Sequence, residues 1–118
     1  MDRILTIQLG DGKSQLKQSF SRAFETGEYQ GEVLNFETPE ALFKTLSPKK
    51  WTIVSAVQNA QLIGVRELSR EIKRDVRRVH DDLQILLEEG ILEQDDNSKI
   101  SCPYSVIHFD FELKKQVA

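Results

Sequence analysis

Residues 65–92 read VRELSREIKRDVRRVHDDLQILLEEGIL, and the spacing of the apolar residues in this stretch decides the predicted fold. Val65, Leu68 and Ile72 lie at positions i, i+3 and i+7, which is the spacing of one face of a short helix. A second helix is predicted directly after it, because five further apolar residues share one helical face. These residues are Val76, Val79, Leu83, Leu86 and Leu87.

The boundaries of the two helices are also visible in the sequence. Only Lys73-Arg74-Asp75 separate them, and Asp75 can cap the free amides of the second helix, a contribution of roughly 1 kcal/mol relative to alanine. Gly90 is a stop signal for that helix, and the apolar pair Ile91-Leu92 follows at once. A helix, a tight turn, a helix with arginines at its start and a hairpin are typical of a winged helix-turn-helix, whose second helix enters the major groove of DNA.

Positive charge is concentrated in the same stretch. Residues 66–78 contain six lysines and arginines and three acidic residues, whereas the whole chain has a net charge of −3. Arg66, Arg70 and Lys73 fall on one solvent-facing stripe of the first helix. A contact with DNA phosphates needs such a local cationic surface, so the sequence predicts binding to double-stranded DNA. A solvated charged face is the alternative interpretation.

Five segments of the sequence resemble a prokaryotic family of predicted transcriptional regulators that have a MarR/ArsR-like winged helix. The resemblance covers about residues 31–109 and reaches a Pro-Tyr pair near the predicted second strand of the wing. It implies a winged helix-turn-helix fold and a DNA-binding role. The segments are SPKKW (47–51), VRELS (65–69), KRDVRRVHDDL (73–83), EEGIL (88–92) and CPY (102–104).

Three positions depart from the pattern of that family. Asp81 stands where the family has a basic residue after the histidine, and Gly64 replaces the usual Ser or Thr cap. The predicted wing tip, 95–98, is acidic, and only the neighbouring Lys99 can meet a phosphate. We expect Arg77 and Arg78 to contact base edges and the other cations to contact phosphates. The predicted DNA-contacting residues are Arg66, Arg70, Lys73, Arg74, Val76, Arg77, Arg78, Asp81 and Lys99.

Length and composition are those of an ordinary globular protein with one core. The 118 residues are 39% hydrophobic and 30% charged, which does not fit a disordered chain. Cys102 is the single cysteine, so an internal disulfide and a cysteine metal cluster are excluded. Neither a secretory signal nor an apolar run of 18 residues follows Met1, so we expect a cytoplasmic protein that makes no membrane contact.

Two predicted units lie outside a minimal winged helix. Residues 1–30 form an N-terminal extension with a strand at 4–9 and a helix at 13–26, and residues 31–118 form the winged-helix domain, giving an α+β fold. A C-terminal strand at 106–113 ends the chain, with Phe109 and Phe111 on one face. Either these strands pair with each other and with residues 31–37 in one small sheet, or they form a surface for a partner.

The second alternative predicts a homodimer or a contact with another protein. Ile85 supports it, because this residue lies opposite Val76 on the helical wheel, away from the predicted core. The residues predicted for the interface are Leu5, Ile7, Phe20, Phe24, Ile85, Phe109 and Phe111.

No catalytic or metal-binding constellation can be assembled from the sequence. His80 and His108 are the only histidines, and a metal site needs three or four converging ligands. His80 lies at the edge of the apolar stripe, where we expect it to pack or to act as a cap and not to bind a metal. The neighbours Asp81 and Asp82 diverge by 100° on a helix and are predicted to be solvated. The sequence therefore predicts neither an enzyme nor a cofactor.

Two functions remain open at this point. The first is a dimeric, sequence-specific DNA-binding regulator, most simply a repressor. The second is an antitoxin that neutralises a small toxin protein and represses its own operon; the resemblance implies it, because members of that family are often paired with small toxin-like proteins. A short neighbouring open reading frame, or co-purification with a small protein, would separate the two.

Overall fold

The computed structural model describes residues 3–10 and 31–112 of the chain, and these residues form an α+β fold of four helices and two small sheets. The helix predicted at 13–26, including Phe20 and Phe24, lies outside the described residues. In chain order the elements are β1 (Ile4–Leu9), β2 (Glu32–Phe36), α1 (Pro39–Thr45), α2 (Pro48–Ala60), α3 (Val65–Ile72), α4 (Val76–Glu88), β3 (Glu93–Gln94), β4 (Ile100–Ser101) and β5 (Val106–Asp110).

The larger sheet joins both ends of the described chain. Its strand order is β2-β1-β5, and β1 is parallel to both neighbours. In the register of the sheet, Ile7 lies between Leu34 of β2 and Phe109 of β5. Of the two alternatives for these strands, pairing within one sheet is therefore what the structure contains.

The central position of β1 corrects part of the predicted interface. Leu5 and Ile7 are only 3% and 0% exposed and belong to the main hydrophobic core. Alternation along a strand puts both side chains on the same face, and the helices of this chain already cover that face. Neither residue is therefore available to a partner in this structure.

Arg3, directly before β1, contacts β2 on one side and the segment before β5 on the other. The guanidinium group of Arg3 donates a 3.0 Å hydrogen bond from Nε to Glu32 of β2. The same group lies 5.1 Å from the ring centroid of Tyr104, and the backbone N–H of Ser105 donates to the Arg3 carbonyl at 3.0 Å. These contacts fix the start of β1 against β2 and against the segment that leads into β5.

Helix α2 is the central helix of the core, and a proline at its first position sets its start. Ile53, Val54 and Val57 are buried. Trp51 of the same helix is 45% exposed, and its ring stacks on Phe109 of β5. Its indole thus lies at the edge of the sheet and not under it.

The faces of α3 and α4 pack largely as their periodicity predicts. Leu68 of α3 and Val79 and Leu83 of α4 are at most 1% exposed. Val76 departs from the prediction, since its side chain is 41% exposed. It is the first residue of α4, and the buried face of the helix begins one turn later. Ile85 is 37% exposed, as expected for a residue away from the core.

A short hairpin follows α4 at the predicted place. β3 and β4 are antiparallel, with Gln94 opposite Ile100. Ile100 also exchanges two backbone hydrogen bonds of 2.7 and 2.9 Å with Ile63, in the segment between α2 and α3. At the tip, the Asp95 carboxylate accepts hydrogen bonds from the backbone N–H groups of Asn97 (2.9 Å) and Lys99 (2.8 Å). The hairpin is therefore tied to the segment that precedes α3.

The packing of α4 gives a prediction on stability. Replacing Leu83 with alanine should lower the free energy of unfolding by about 2–5 kcal/mol, because it leaves a cavity in a close-packed core. The Ile85→Ala variant on the same helix is the control, and its effect should stay within about 0.5 kcal/mol. Urea unfolding at one protein concentration measures both, and equal losses would contradict the described packing.

Candidate nucleic-acid interface

Only three residues, 73–75, connect α3 to α4. The left-handed backbone conformation of Lys73 makes so short a connection possible. Lys73 ends α3 in the left-handed region, with φ 57° and ψ 49°. Its backbone N–H and that of Arg74 donate back to the last turn of α3, to Arg70 (3.3 Å) and to Ser69 (3.0 Å) respectively. These bonds satisfy carbonyl groups that a helix end leaves free, and they allow α4 to begin only three residues later.

An ion pair fixes the same turn against α4. Nη2 of Arg74 donates a 2.8 Å hydrogen bond to Oδ2 of Asp82, and the two side chains are only 19% and 22% exposed. Sequence reasoning placed Arg74 among the phosphate-contacting residues and Asp82 in solvent. In the structure the two side chains are instead partly buried and paired with each other, because the turn brings the Arg74 side chain alongside the second turn of α4.

The remaining cations of the two helices point to solvent. All of them are exposed, and none has an ion-pair partner within 4 Å among the described residues. They come from the exposed face of α3, from the turn and from the first turn of α4. We call this set the cationic surface; it consists of Arg66, Arg70, Lys73, Arg77 and Arg78.

The start of α4 is capped but remains open to solvent. The Asp75 side chain accepts a hydrogen bond from the backbone N–H of Arg78 at 3.4 Å, which confirms the predicted cap. Val76, Arg77 and Arg78 are exposed directly beyond it. The partial positive charge of a helix N-terminus adds to the charge of the two arginines. This end of α4 thus presents two arginine side chains to solvent beside the Asp75 carboxylate that caps it.

The next turn of α4 is less favourable to an anion. Asp81 is exposed and lies about one turn beyond Arg77 and Arg78 on the same side of the helix. His80 is exposed as well and lies 3.4 Å from Gln84, so the prediction that it packs at the edge of the apolar stripe is wrong. Residue 80 sits just beyond the stripe, where no described element covers it.

The tip of the hairpin lies beside the start of α3. Gly64, Arg66 and Arg70 line an open groove together with Ser98 and Lys99 of the hairpin. A Cβ atom on Gly64 would be 3.5 Å from the ammonium nitrogen of Lys99. Sequence reasoning treated Gly64 only as a weak helix cap; in the structure it also lines the groove in which Lys99 approaches the cations of α3.

Other chemistry is sparse in the part of the chain that the structure describes. No three His, Cys, Asp or Glu side chains there are close enough to hold a metal ion. Cys102 is half-buried with its thiol directed at the carbonyl groups of Tyr104 (3.4 Å) and Ile91 (3.6 Å), and burial raises the pKa of that thiol. Within the same residues no helix has the length and apolar character needed to span a membrane.

Arg74 is paired with Asp82 and Arg77 is exposed to solvent, so we expect their replacement to have different effects on stability. Replacing Arg74 with alanine leaves the partly buried Asp82 carboxylate without its partner, which should cost about 1–3 kcal/mol of unfolding free energy. The Arg77→Ala variant removes the same charge from an exposed site and should change stability by less than about 0.5 kcal/mol. Urea unfolding of both variants, of Asp82→Ala and of the double variant Arg74→Ala/Asp82→Ala measures the coupling between residues 74 and 82. Independent, additive losses at 74 and 82 would contradict the ion pair.

Comparison with known proteins gives a family but no characterised relative. No curated protein matches the chain. The model of the family HVO_A0114 matches residues 45–109, which is more than half of the 118 residues. The matched region includes α2, the α3–α4 pair with its cationic surface, the hairpin and most of β5. The chain therefore belongs to the HVO_A0114 family.

Proposed function

We propose that this protein is a sequence-specific regulator of transcription that binds double-stranded DNA. In this proposal α3, α4 and the β3–β4 hairpin act as a winged helix-turn-helix, similar to that of MarR/ArsR-like regulators. The observation that carries it is the cationic surface: five exposed cations without described ion-pair partners, in a chain of net charge −3. In an acidic protein such a patch supplies the local positive potential that DNA binding requires.

The dimensions and charges of α4 suit the major groove. An α-helix with its side chains is about 10–12 Å across, and the major groove of B-DNA is about 12 Å wide. With the first turn of α4 in the groove, Arg77 and Arg78 would reach base edges. A bidentate arginine–guanine contact gives about 1–3 kcal/mol of discrimination. The exposed methyl groups of Val76 could meet a thymine methyl group in the same place.

The phosphate contacts would come from the flanking elements. Arg66 and Arg70 of α3, Lys73 of the turn and Lys99 of the hairpin tip are all exposed. The groove between α3 and the hairpin brings Lys99 towards Arg66 and Arg70, so one phosphate strand could run past all three. The Asp95 carboxylate is engaged by backbone N–H groups of the tip, which lowers its repulsion of a phosphate.

A single copy has too few such contacts for tight binding. Sequence-independent binding through phosphates is typically in the range of about 10⁻⁴–10⁻⁶ M at physiological salt. Specific regulation therefore calls for two copies on a palindromic site, with half-sites about 34–36 Å apart. Arg74 does not add a contact, because it is bound to Asp82.

The role of α4 is tested by removing its two exposed arginines. The Arg77→Ala/Arg78→Ala variant should lose sequence-specific binding while its melting temperature changes little, since both side chains are exposed. Selection from a random duplex library identifies the site, and fluorescence anisotropy then measures the affinity of each variant for it.

The matched control is Lys44→Ala/Lys49→Ala, which removes two exposed positive charges from α1 and from the start of α2. This variant should retain specific binding. If the two double variants lost affinity equally, net charge and not α4 would explain the binding. Specific binding retained by the folded arginine variant would contradict the proposed role of α4.

The phosphate contacts predict a different signature. Arg66→Ala, Arg70→Ala and Lys73→Ala should each weaken binding to all sequences about equally, and each should reduce the slope of log K against log salt by roughly one. Titrations from about 50 to 200 mM salt measure that slope. A loss at Arg70 that depended on the sequence, with an unchanged slope, would mean that this residue reads bases.

A further inference from the structure

Strand β5 is an edge of the larger sheet. It pairs with β1 on one side, and no described strand lies on its other side. Its exposed residues include Val106 (49%) and Phe109 (36%), and Phe111 directly after it is also 36% exposed. An edge strand presents unpaired backbone N–H and C=O groups, and proteins usually protect such edges with charge, proline or a cover. Apart from His108 and Asp110, β5 has apolar and aromatic side chains at this position.

The aromatic residues on the core side of β5 form a pre-organised cluster. The rings of Trp51 and Phe109 are stacked, with centroids 5.0 Å apart, and Phe109 meets Phe111 edge-on at 6.2 Å. The cluster borders an apolar cleft between α2 and β5, which Val54 and Ile107 also line. Large side chains held in one arrangement lose little conformational freedom on association. This edge is thus prepared to bind a flat apolar surface.

We infer that a second copy of this chain binds at this edge, with the two β5 strands antiparallel and related by a two-fold axis at Phe109. In that register Phe109 faces its own copy, and Ile107 faces Phe111 of the second copy. His108 lies directly opposite Asp110 of the second copy, and the symmetry repeats this pair. The two three-stranded sheets would become one continuous sheet of six strands.

The sequence of β5 favours this register over its neighbour. A two-fold axis at His108 would place His108 opposite itself, so that the imidazole no longer faces the Asp110 carboxylate of the second copy. The axis at Phe109 matches the aromatic and apolar residues on one face and the imidazole with the carboxylate on the other. Directly opposed residues are the main source of energy in strand pairing, and opposite charges or two aromatics are the favourable combinations.

Self-complementarity also identifies the occupant as a second copy. A two-fold interface needs one surface that complements itself, so that residue i contacts j and j contacts i. In the segment from 107 to 111 the residues that the symmetry opposes also match chemically: Ile107 with Phe111, Phe109 with itself, and His108 with Asp110. The inference rests on the proposed function in one respect: specific DNA binding needs two copies of the chain, and this interface would join them. Its test uses no DNA, so that either idea can fail alone.

Disulfide trapping tests the register directly. In a Cys102→Ser background, Phe109→Cys places the two new thiols opposite each other, within the 4.4–6.8 Å between Cα atoms that a disulfide needs. Val106→Cys is the matched control: it is equally exposed, but its two copies would be about 20 Å apart at roughly 3.4 Å per residue. Oxidation should convert the first variant to covalent dimer and leave the second monomeric on a non-reducing gel. Equal trapping of both would overturn the register.

Charge exchange provides a second measurement that keeps the aromatic cluster intact. His108→Asp places two carboxylates opposite each other twice and should weaken the dimer at least about tenfold by sedimentation equilibrium. His108→Asp/Asp110→His restores the opposite pairing and should recover the dimer to within about threefold. No weakening in the single variant, or no recovery in the double, would overturn the proposal, as would a wild-type protein that stays monomeric at 100-fold the concentration used for DNA binding.

Discussion

The position of α4 depends on the ion pair between Arg74 and Asp82 and on the turn that brings the two together. Lys73 adopts a left-handed backbone conformation at the end of α3. The Arg74 side chain extends along α4, and its Nη2 atom lies 2.8 Å from Oδ2 of Asp82. A partly buried pair of this kind loses stability when one partner is removed, so it acts as a constraint on geometry. The exposed first turn of α4 and the cations of α3 keep a fixed relation because of it.

The rest of the fold supports this helix pair from two sides. The hairpin is tied to the segment before α3 through Ile63 and Ile100, and Lys99 at its tip lines a groove together with Arg66 and Arg70 of α3. On the far side, α2 lies between the helix pair and the parallel sheet, and its buried residues belong to the same core as Leu5 and Ile7. The cationic surface is thus carried by a rigid core, and the aromatic edge of β5 belongs to the separate sheet region.

The spacing of apolar residues was sufficient to predict α3 and α4, but it did not predict which charged side chains pair inside the protein. The apolar spacing in 65–92 locates α3 and α4 and their ends, because one buried face is enough to fix a helix. Charge counting cannot tell which arginine is bound internally, since Arg74 and Asp82 are eight residues apart and meet only through the turn. The exposure of Val76 and Trp51, and the burial of Leu5 and Ile7, depend on what covers each position in three dimensions. The pairing of β1 with β5 joins segments about one hundred residues apart, and no local pattern specifies it.

The most direct test of the central claim is selection from a library of random duplexes by the full chain at physiological salt, with sequencing of the retained DNA. The account predicts enrichment of one palindromic motif, with half-sites one helical turn apart, that the folded Arg77→Ala/Arg78→Ala variant fails to enrich. Retention of DNA without any enriched sequence, or the same motif enriched by the variant, would contradict the assignment of α4 as the element that reads DNA.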